Sequence, residues 1–305
     1  VNIENIKPTM ANHIISAEKD EVFYGLDVNN IVLEVPKDKN SPNVWVDVRY
    51  NYPKNEAAGL NAKKDRIKIQ TSELMSFGIN RWEGKETSPA KMSFSMINRR
   101  LREDVRKGKE PTEEEQIDME VEDETVDIIE KITEKIKSEM KKPEFIRAMG
   151  KKDGGKDLVK WNSAVDEIEL IKRKEQDNGI DAVYLNVKII EKENFAKTKF
   201  FVLDDNEEDG LRFIEQKKII PKLTGTNCKV TPLLVIDSIF FLNKKPFLLI
   251  KAGDVIINSL INNSKKYSIH VHKRVKRGSQ IDSKSFDSDN ETSAIADSDS
   301  DSDSD

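Results

Sequence analysis

The amino-acid sequence predicts a mainly β protein that carries a long acidic helical insertion and a disordered acidic tail. Runs rich in β-branched and aromatic residues, separated by turn residues, fill residues 31–96 and return at 182–258. Between them, residues 112–140 have the spacing of an amphipathic helix. Beyond Ser283 the chain is a Ser/Asp repeat, a composition that cannot bury a core and is typical of disorder.

The first β block contains four predicted strands, bounded by turn clusters such as Lys39-Asn40-Ser41-Pro42. These strands cover residues 31–35, 44–50, 66–70 and 91–96. Alternation along the second strand places Val46 and Val48 on one face, with Trp45 and Arg49 on the other. A ring and a cation are therefore expected side by side on the outer face of this strand.

The helical insertion is predicted at about residues 110–142. Thr112-Glu113-Glu114-Glu115 has the form of a capping box, and Pro143 ends the apolar pattern. The pattern itself consists of Ile129, Ile132, Ile136 and Met140. A stripe of this width packs more often on its own domain than on a partner, so we expect the helix to cover the β core.

The second β block is predicted at residues 182–190, 197–203, 229–242 and 246–258, the third strand being bent near Pro232. A tight turn at residues 243–245 joins the last two strands. In the first strand of this block, alternation places Tyr184 and Lys188 on one face. The opposite, inward face carries Val183, Leu185, Val187 and Ile189.

Charge is divided unevenly along the chain. The net charge is −5, but residues 287–305 hold eight acidic and no basic residues, which leaves about +3 on residues 1–286. Residues 110–142 hold 13 acidic residues and 5 lysines, so the remaining body carries about +11. This separation is typical of a polyanion binder with built-in competitors, although acidic segments also serve simply as solvated surface.

The predicted organisation is an N-terminal extension over residues 1–20, one binding domain over 21–280, and the tail over 281–305. No apolar run approaches the roughly 20 residues of a membrane helix, and no secretion leader precedes the folded part. The single cysteine, Cys228, fits a reducing compartment. We therefore expect an intracellular, non-secreted protein.

No catalytic or metal-binding arrangement is legible in the sequence. The three histidines, His13, His270 and His272, form no recognisable triad. His270 and His272 would share one side of a strand, which suits a metal, but no third ligand is evident. Residues 150–157 have the glycine and lysine spacing of a phosphate-binding loop, but Asp157 stands where a hydroxyl must bind magnesium. The residues before it, 143–149, also predict a helix instead of the required strand. We expect a non-enzymatic protein without cofactor or metal.

Candidate nucleic-acid contacts are rings next to cations, since single-strand binders stack bases on aromatic side chains and meet phosphates with lysine and arginine. Core packing competes as an explanation for each individual ring. The predicted pairs are Trp45 with Arg49, Arg81 with Trp82, Lys160 with Trp161, and Tyr184 with Lys188. A basic cluster lies upstream of the tail: Lys273, Arg274, Lys276 and Arg277. It could contact phosphates, bind the acidic tail or serve as a nuclear-import signal.

The order of strands, acidic helical insertion, strands, basic segment and Asp-rich tail resembles the single-stranded DNA-binding proteins of large nucleocytoplasmic DNA viruses. Those proteins are similar to the T7-type phage single-stranded DNA-binding proteins. The resemblance is carried by residues 68–82, which end in Ser76-Phe77-Gly78-Ile79-Asn80-Arg81-Trp82, and by residues 91–96 and 239–247. In order of elements it covers about residues 30–260.

The resemblance implies an OB-fold-like barrel without a cofactor and a role in DNA replication, recombination and repair, in the nucleus or a cytoplasmic viral replication site. It also implies that the acidic tail competes with DNA and recruits a polymerase, helicase or primase. The tail residues concerned are Asp297, Asp299, Asp301, Asp303 and Asp305. This tail ends in Asp305 without the aromatic residue of the phage proteins, which puts contact with a T7-type polymerase in doubt.

Two alternatives remain open from the sequence. An acidic chaperone or interaction protein would use the Ser/Asp tail to capture basic partners such as histones. An RNA-binding protein would have the same pattern of rings and cations. The oligomeric state is also open, with a homo-oligomer among the alternatives.

Overall fold

A computed structural model of the protein describes residues 13–15, 22–24, 27–36, 45–52, 62–81, 88–150, 154–177, 179–191, 197–208, 210–242 and 245–261. These residues are mainly β, as predicted. The strands are β1 (His13–Ile15), β2 (Val22–Tyr24), β3 (Ile31–Glu34), β4 (Trp45–Tyr52), β5 (Lys63–Asp65), β6 (Ile67–Gln70), β7 (Leu74–Asn80), β8 (Lys91–Ser95), β9 (Ile171–Lys174), β10 (Ala182–Lys188), β11 (Lys199–Leu203), β12 (Leu211–Ile214), β13 (Cys228–Leu242) and β14 (Lys245–Leu260). The helices are α1 (Arg99–Arg106), α2 (Glu113–Met140), α3 (Pro143–Ala148), α4 (Gly155–Asp166) and α5 (Gln216–Leu223).

Five strands, β7, β8, β10, β13 and β14, close into a barrel. Four of the five contacts are antiparallel, and β10 meets β14 in parallel, with Lys188 opposite Lys251. Strand β7 pairs with β8, β8 pairs with β10, and β10 pairs with β14. Strand β13 pairs with both β14 and β7 and so closes the ring. This is a five-stranded Greek-key barrel of the OB type, so the prediction of an OB-fold-like barrel is confirmed.

Side-chain alternation explains why these segments form the barrel. Val183, Leu185 and Val187 of β10 point inward and are buried, as predicted. Met92 and Phe94 of β8 fill the same interior and are fully buried. Each strand therefore has one apolar face toward the core and one face toward solvent.

The β13–β14 hairpin extends well beyond the barrel. A register shift between Pro232 and Leu234, where a bend was predicted, changes the direction of β13. The strand then pairs with β6 through residues 233–236 and with β4 through residues 238–240. A second part of the sheet thus grows from the hairpin. Strand β6, joined to β1 and β2, and strand β4, joined to β3 and β5, pair one after the other with the edge of β13 that β14 leaves open. His13–Ile15, within the predicted N-terminal extension, belongs to this second part of the sheet.

The helical insertion lies between β8 and β10, with β9 at its end. Helix α2 begins with the predicted capping box: the Thr112 hydroxyl accepts from the Glu115 amide (3.2 Å), and the Glu115 carboxylate accepts from the Thr112 amide (2.9 Å). The predicted stripe, Ile129, Ile132, Ile136 and Met140, is completely buried. The helix packs this stripe on its own domain, against β3 and β9, as predicted.

Helix α3 confirms that the residues preceding the glycine-rich stretch at 150–157 are helical, which a phosphate-binding loop does not allow. No helix of the described ranges is both long and apolar enough to cross a membrane. Several predictions lie outside the described residues. They concern Trp82, the basic cluster Lys273, Arg274, Lys276 and Arg277, and the tail with Asp297, Asp299, Asp301, Asp303 and Asp305.

Candidate nucleic-acid interface

The solvent-facing surface of β7, β8 and β10, continued by β9, combines two aromatic rings with four lysines. Strand pairing aligns Lys172 with Tyr184, Tyr184 with Ser95, and Ser95 with Met75 in one row across four strands. We call this surface the lysine–aromatic face. It consists of Met75, Phe77, Lys91, Ser93, Ser95, Lys172, Lys174, Tyr184, Asn186 and Lys188.

Phe77 is presented on this face by an irregularity in β7. The register between β7 and β8 shifts between Ser76 and Ile79, and Gly78 has a φ of +78°. A Cβ atom at residue 78 would lie 2.3 Å from the carbonyl oxygen of Leu223, at the end of α5, so only glycine fits. The bulge leaves the Phe77 ring 47% exposed.

The face keeps its positive charge. Lys91, Lys172 and Lys174 are exposed and have no ion-pair partner among the described residues. None of the ten residues of the face is acidic. Between the rings, the Ser93 hydroxyl donates to the Asn186 side-chain oxygen across the two strands. Short side chains on β8 therefore leave a shallow trough between Tyr184 on one side and Phe77 on the other.

The positive charge ends at the neighbouring strand. Lys251 of β14, opposite Lys188, forms a 2.7 Å ion pair with Asp237. Asp237 is buried and also contacts the guanidinium of Arg66 at 2.8 Å. The charge of Lys251, the cation next to the face in this direction, is thus neutralised within the protein.

Tyr184 and Lys188, a predicted pair, lie on the lysine–aromatic face as strand alternation requires. Arg81 lies just after β7, at the start of the loop between the first two barrel strands. Its guanidinium donates to the Glu191 carboxylate (2.9 Å) and to the Ser88 carbonyl (2.6 Å). Arg81 therefore holds this loop against the end of β10, whereas its predicted partner Trp82 is outside the described residues.

Trp45 and Arg49 share the outer face of β4, but in a different setting. Trp45, 44% exposed, stacks on Phe240 with a centroid distance of 5.3 Å, and Phe240 stacks on Phe247 at 5.2 Å. We call Trp45, Phe240 and Phe247 the aromatic ladder. Arg49 is held by Asp47 at 2.7 Å and by Glu34 at 3.8 Å, so the cation beside the ladder is already paired.

The predicted pair Lys160 and Trp161 does not fit an interface and is corrected here. Trp161 is 6% exposed, stacks on Phe241, and donates its indole N–H to the Met140 carbonyl at 3.0 Å. Lys160 is exposed on another side of α4. Neighbouring side chains of a helix point about 100° apart, so these two residues do not face the same way.

Eight residues of the face were not among the predicted contacts: Met75, Phe77, Lys91, Ser93, Ser95, Lys172, Lys174 and Asn186. A period-2 signal was available for Lys172, which lies two residues before Lys174. In β7 the polar Ser76 and the bulge at Gly78 interrupt the apolar alternation around Met75 and Phe77. No group of three or more His, Cys, Asp or Glu side chains in the described ranges is placed to hold a metal.

Comparison with known proteins places the sequence in a family without describing its activity. Residues 41–302 match a family model described as "Protein of unknown function (DUF2738)". The search of curated proteins found no match.

Proposed function

The chain belongs to the DUF2738 family of proteins of unknown function, and we propose that it binds single-stranded DNA through the lysine–aromatic face. The observation that carries this proposal is that two rings, the exposed Phe77 and the partly exposed Tyr184, lie on the outer surface of three consecutive barrel strands. Beside them, Lys91 of β8 and Lys172 and Lys174 of β9 have no ion-pair partner among the described residues. OB-folds bind oligonucleotides on this side of the barrel.

The chemistry of the face suits a single strand of any sequence. Bases stack on rings through their π-faces, which all four bases have, at about 1–3 kcal/mol per base. Lys91, Lys172 and Lys174 surround the two rings and meet the phosphates. Binding releases counterions from the strand, so affinity is expected to fall steeply with salt.

The proposed biological role is to coat single-stranded DNA during replication, recombination and repair. In this role the acidic tail competes with DNA and recruits a polymerase, helicase or primase. The charge division along the sequence supports the competition, because residues 287–305 hold eight acidic residues and no base. Deleting these residues should tighten DNA binding. Loss of histone binding on deletion, with DNA binding unchanged, would favour an acidic interaction protein instead.

The direct test measures binding of a fluorescent oligo-dT by anisotropy. Tyr184→Ala is expected to weaken binding by about ten-fold or more, since one stacked base is lost. Phe213→Ala is the matched control, because this ring is 55% exposed on β12, away from the face. Unchanged affinity of Tyr184→Ala, or equal losses in both variants, would move the site away from the face. Thermal unfolding checks that both variants are folded.

Competition between matched deoxy and ribo oligomers then shows whether the protein prefers DNA or RNA. The proposal expects the deoxy oligomer to compete at least as well as the ribo oligomer. Preference for the ribo oligomer would make the protein an RNA binder that uses the same face, since the 2′-hydroxyl is the group by which a protein distinguishes the two.

A further inference from the structure

A groove of about 560 Å³ lies between helix α2 and the edge of the lysine–aromatic face. Met75, Phe77 and Ser95 belong to both the face and the groove, so a strand bound on the face passes its mouth. The volume lies within the usual range of small-molecule sites, about 300–1,000 Å³. Met75, Phe77 and Ile97 contribute apolar surface to the lining of the groove.

The polar side chains of the groove differ in whether they already have hydrogen-bond or ion-pair partners within the protein. Glu122 accepts from the Asn98 amide (2.7 Å) and the Arg102 guanidinium (3.0 Å). Glu73 is bound by Lys229 (2.6 Å) and by the Asn258 side chain (2.9 Å). Both carboxylates are thus committed to protein donors.

Asp118 and Arg100, by contrast, have no hydrogen-bond or ion-pair partner among the described residues. Asp118 lies one turn before Glu122 on α2, on the groove wall. Desolvation, followed by the charges of Glu114 and Glu73, raises the pKa of Asp118, whereas Lys229 acts in the opposite direction. The carboxylate itself is exposed and accessible to a ligand. A ligand that supplies donors to Asp118 and an anion to Arg100 would complement both groups.

We propose that this groove takes one base of the bound strand and that Asp118 makes it selective for guanine. Guanine presents its N1–H and N2–H side by side, so one carboxylate accepts both hydrogen bonds. Cytosine and adenine offer only an exocyclic amino group, and thymine offers a single N3–H flanked by two carbonyl oxygens that a carboxylate repels. Arg100 takes the adjoining phosphate, and Phe77 stacks on the base. This inference rests on the proposed function and adds a modest preference to a tolerant binder.

The test uses the full chain and oligo-dT of about eight nucleotides, within the site size of an OB-fold. The central residue is thymidine, deoxycytidine, deoxyadenosine or deoxyguanosine. The oligomer with one guanine is expected to bind about five-fold more tightly than all-thymidine, from the net gain of a hydrogen bond. The cytosine and adenine oligomers should fall between these two.

Asp118→Asn should abolish the guanine preference, because an amide replaces one acceptor by a donor. Glu124→Gln is the matched control, since it removes the same charge from another side of the same helix and should keep the preference. Equal binding of all four oligomers by the wild type, or the same preference in both variants, overturns this inference and leaves the proposed function intact. Absence of binding to every oligomer overturns both.

Discussion

The lysine–aromatic face and the aromatic ladder both expose rings on outer strand surfaces, yet they differ in two respects. On the face, Tyr184 and Phe77 are separated by the short side chains of β8, whereas the ladder rings lie against one another at 5.2–5.3 Å. Three lysines of the face lack ion-pair partners in the described part of the chain, whereas Arg49 beside the ladder is bound by two carboxylates. The lysine–aromatic face therefore has space for bases between its rings and lysines that are available for phosphates, and the aromatic ladder has neither. A surface that binds a single strand needs both.

The largest effect is expected from removing the rings of each region in pairs. Tyr184→Ala with Phe77→Ala should weaken oligo-dT binding by about 30-fold or more, since two stacked bases are worth at least about 2 kcal/mol. Trp45→Ala with Phe247→Ala should change the affinity by less than about three-fold, because these rings already stack on Phe240. Fluorescence anisotropy measures both double variants at the same salt concentration.

Both double variants should remain folded, because Phe77, Trp45 and Phe247 are exposed in the native protein and Tyr184 is only partly buried. Circular dichroism and thermal unfolding provide the control. A larger loss of affinity from the ladder variant than from the face variant would reverse the comparison and transfer the site to the β13–β14 hairpin.

The second effect concerns charge and is read from the salt dependence of binding. Lys172→Gln with Lys174→Gln should lower the slope of log K against log salt by about 1.4, since each phosphate contact of a single strand contributes about 0.7. Lys64→Gln with Lys245→Gln is the matched control. These two lysines are bound to Glu34 (2.6 Å) and Glu167 (3.0 Å), so the slope should not change. Equal slopes in the two variants would show that β9 does not contact phosphates.

A smaller effect on DNA affinity should appear when the cation beside the aromatic ladder is freed from its ion pairs, as the lysines of the face are. Glu34→Gln with Asp47→Asn releases Arg49 beside Trp45 and should raise the affinity for a long oligomer by about two- to five-fold, the scale of one surface charge interaction. Glu120→Gln with Glu124→Gln changes the net charge equally on helix α2. If both variants bind more tightly to the same degree, the gain comes from net charge, and the paired state of Arg49 does not explain the difference between the regions.

Strand β10 and the insertion helix were predictable because their signals are local, whereas the barrel itself was expected from the family resemblance. The alternation of Val183, Leu185 and Val187 and the capping box at Thr112 need only neighbouring residues. Strand β7 was missed, since a buried polar Ser76 and the bulge at Gly78 interrupt the apolar alternation. Its outward residue Phe77 was therefore absent from the predicted site.

Partners distant in sequence explain the remaining differences at the candidate site. Arg81 is held by Glu191, which lies 110 residues away, and no spacing in the sequence indicates that pair. Trp161 packs on Phe241 of β13 because α4 is a helix that lies against the hairpin. Its place in the core follows from tertiary packing and not from its neighbour Lys160.

The last prediction tests whether β7 and β13, which support the face, stay paired in solution. Cys228 of β13 pairs with Ser76 of β7, directly below Phe77, and its thiol is buried. Burial raises the pKa of the Cys228 thiol from 9.0 to about 11. The native state therefore favours the neutral thiol. This contribution to the free energy of unfolding is fully present below pH 9 and is lost as the pH rises toward 11.

Between pH 8 and pH 10 the wild type should therefore lose about 1 kcal/mol more unfolding free energy than Cys228→Ala, which lacks the titrating group. Denaturant unfolding of both proteins at the two pH values measures this difference, and other titrating groups cancel between them. Parallel losses would mean that the thiol titrates as an exposed group and that β7 separates from β13 in solution. The fixed spacing of Phe77 and Tyr184, by which the face differs from the ladder, would then be lost.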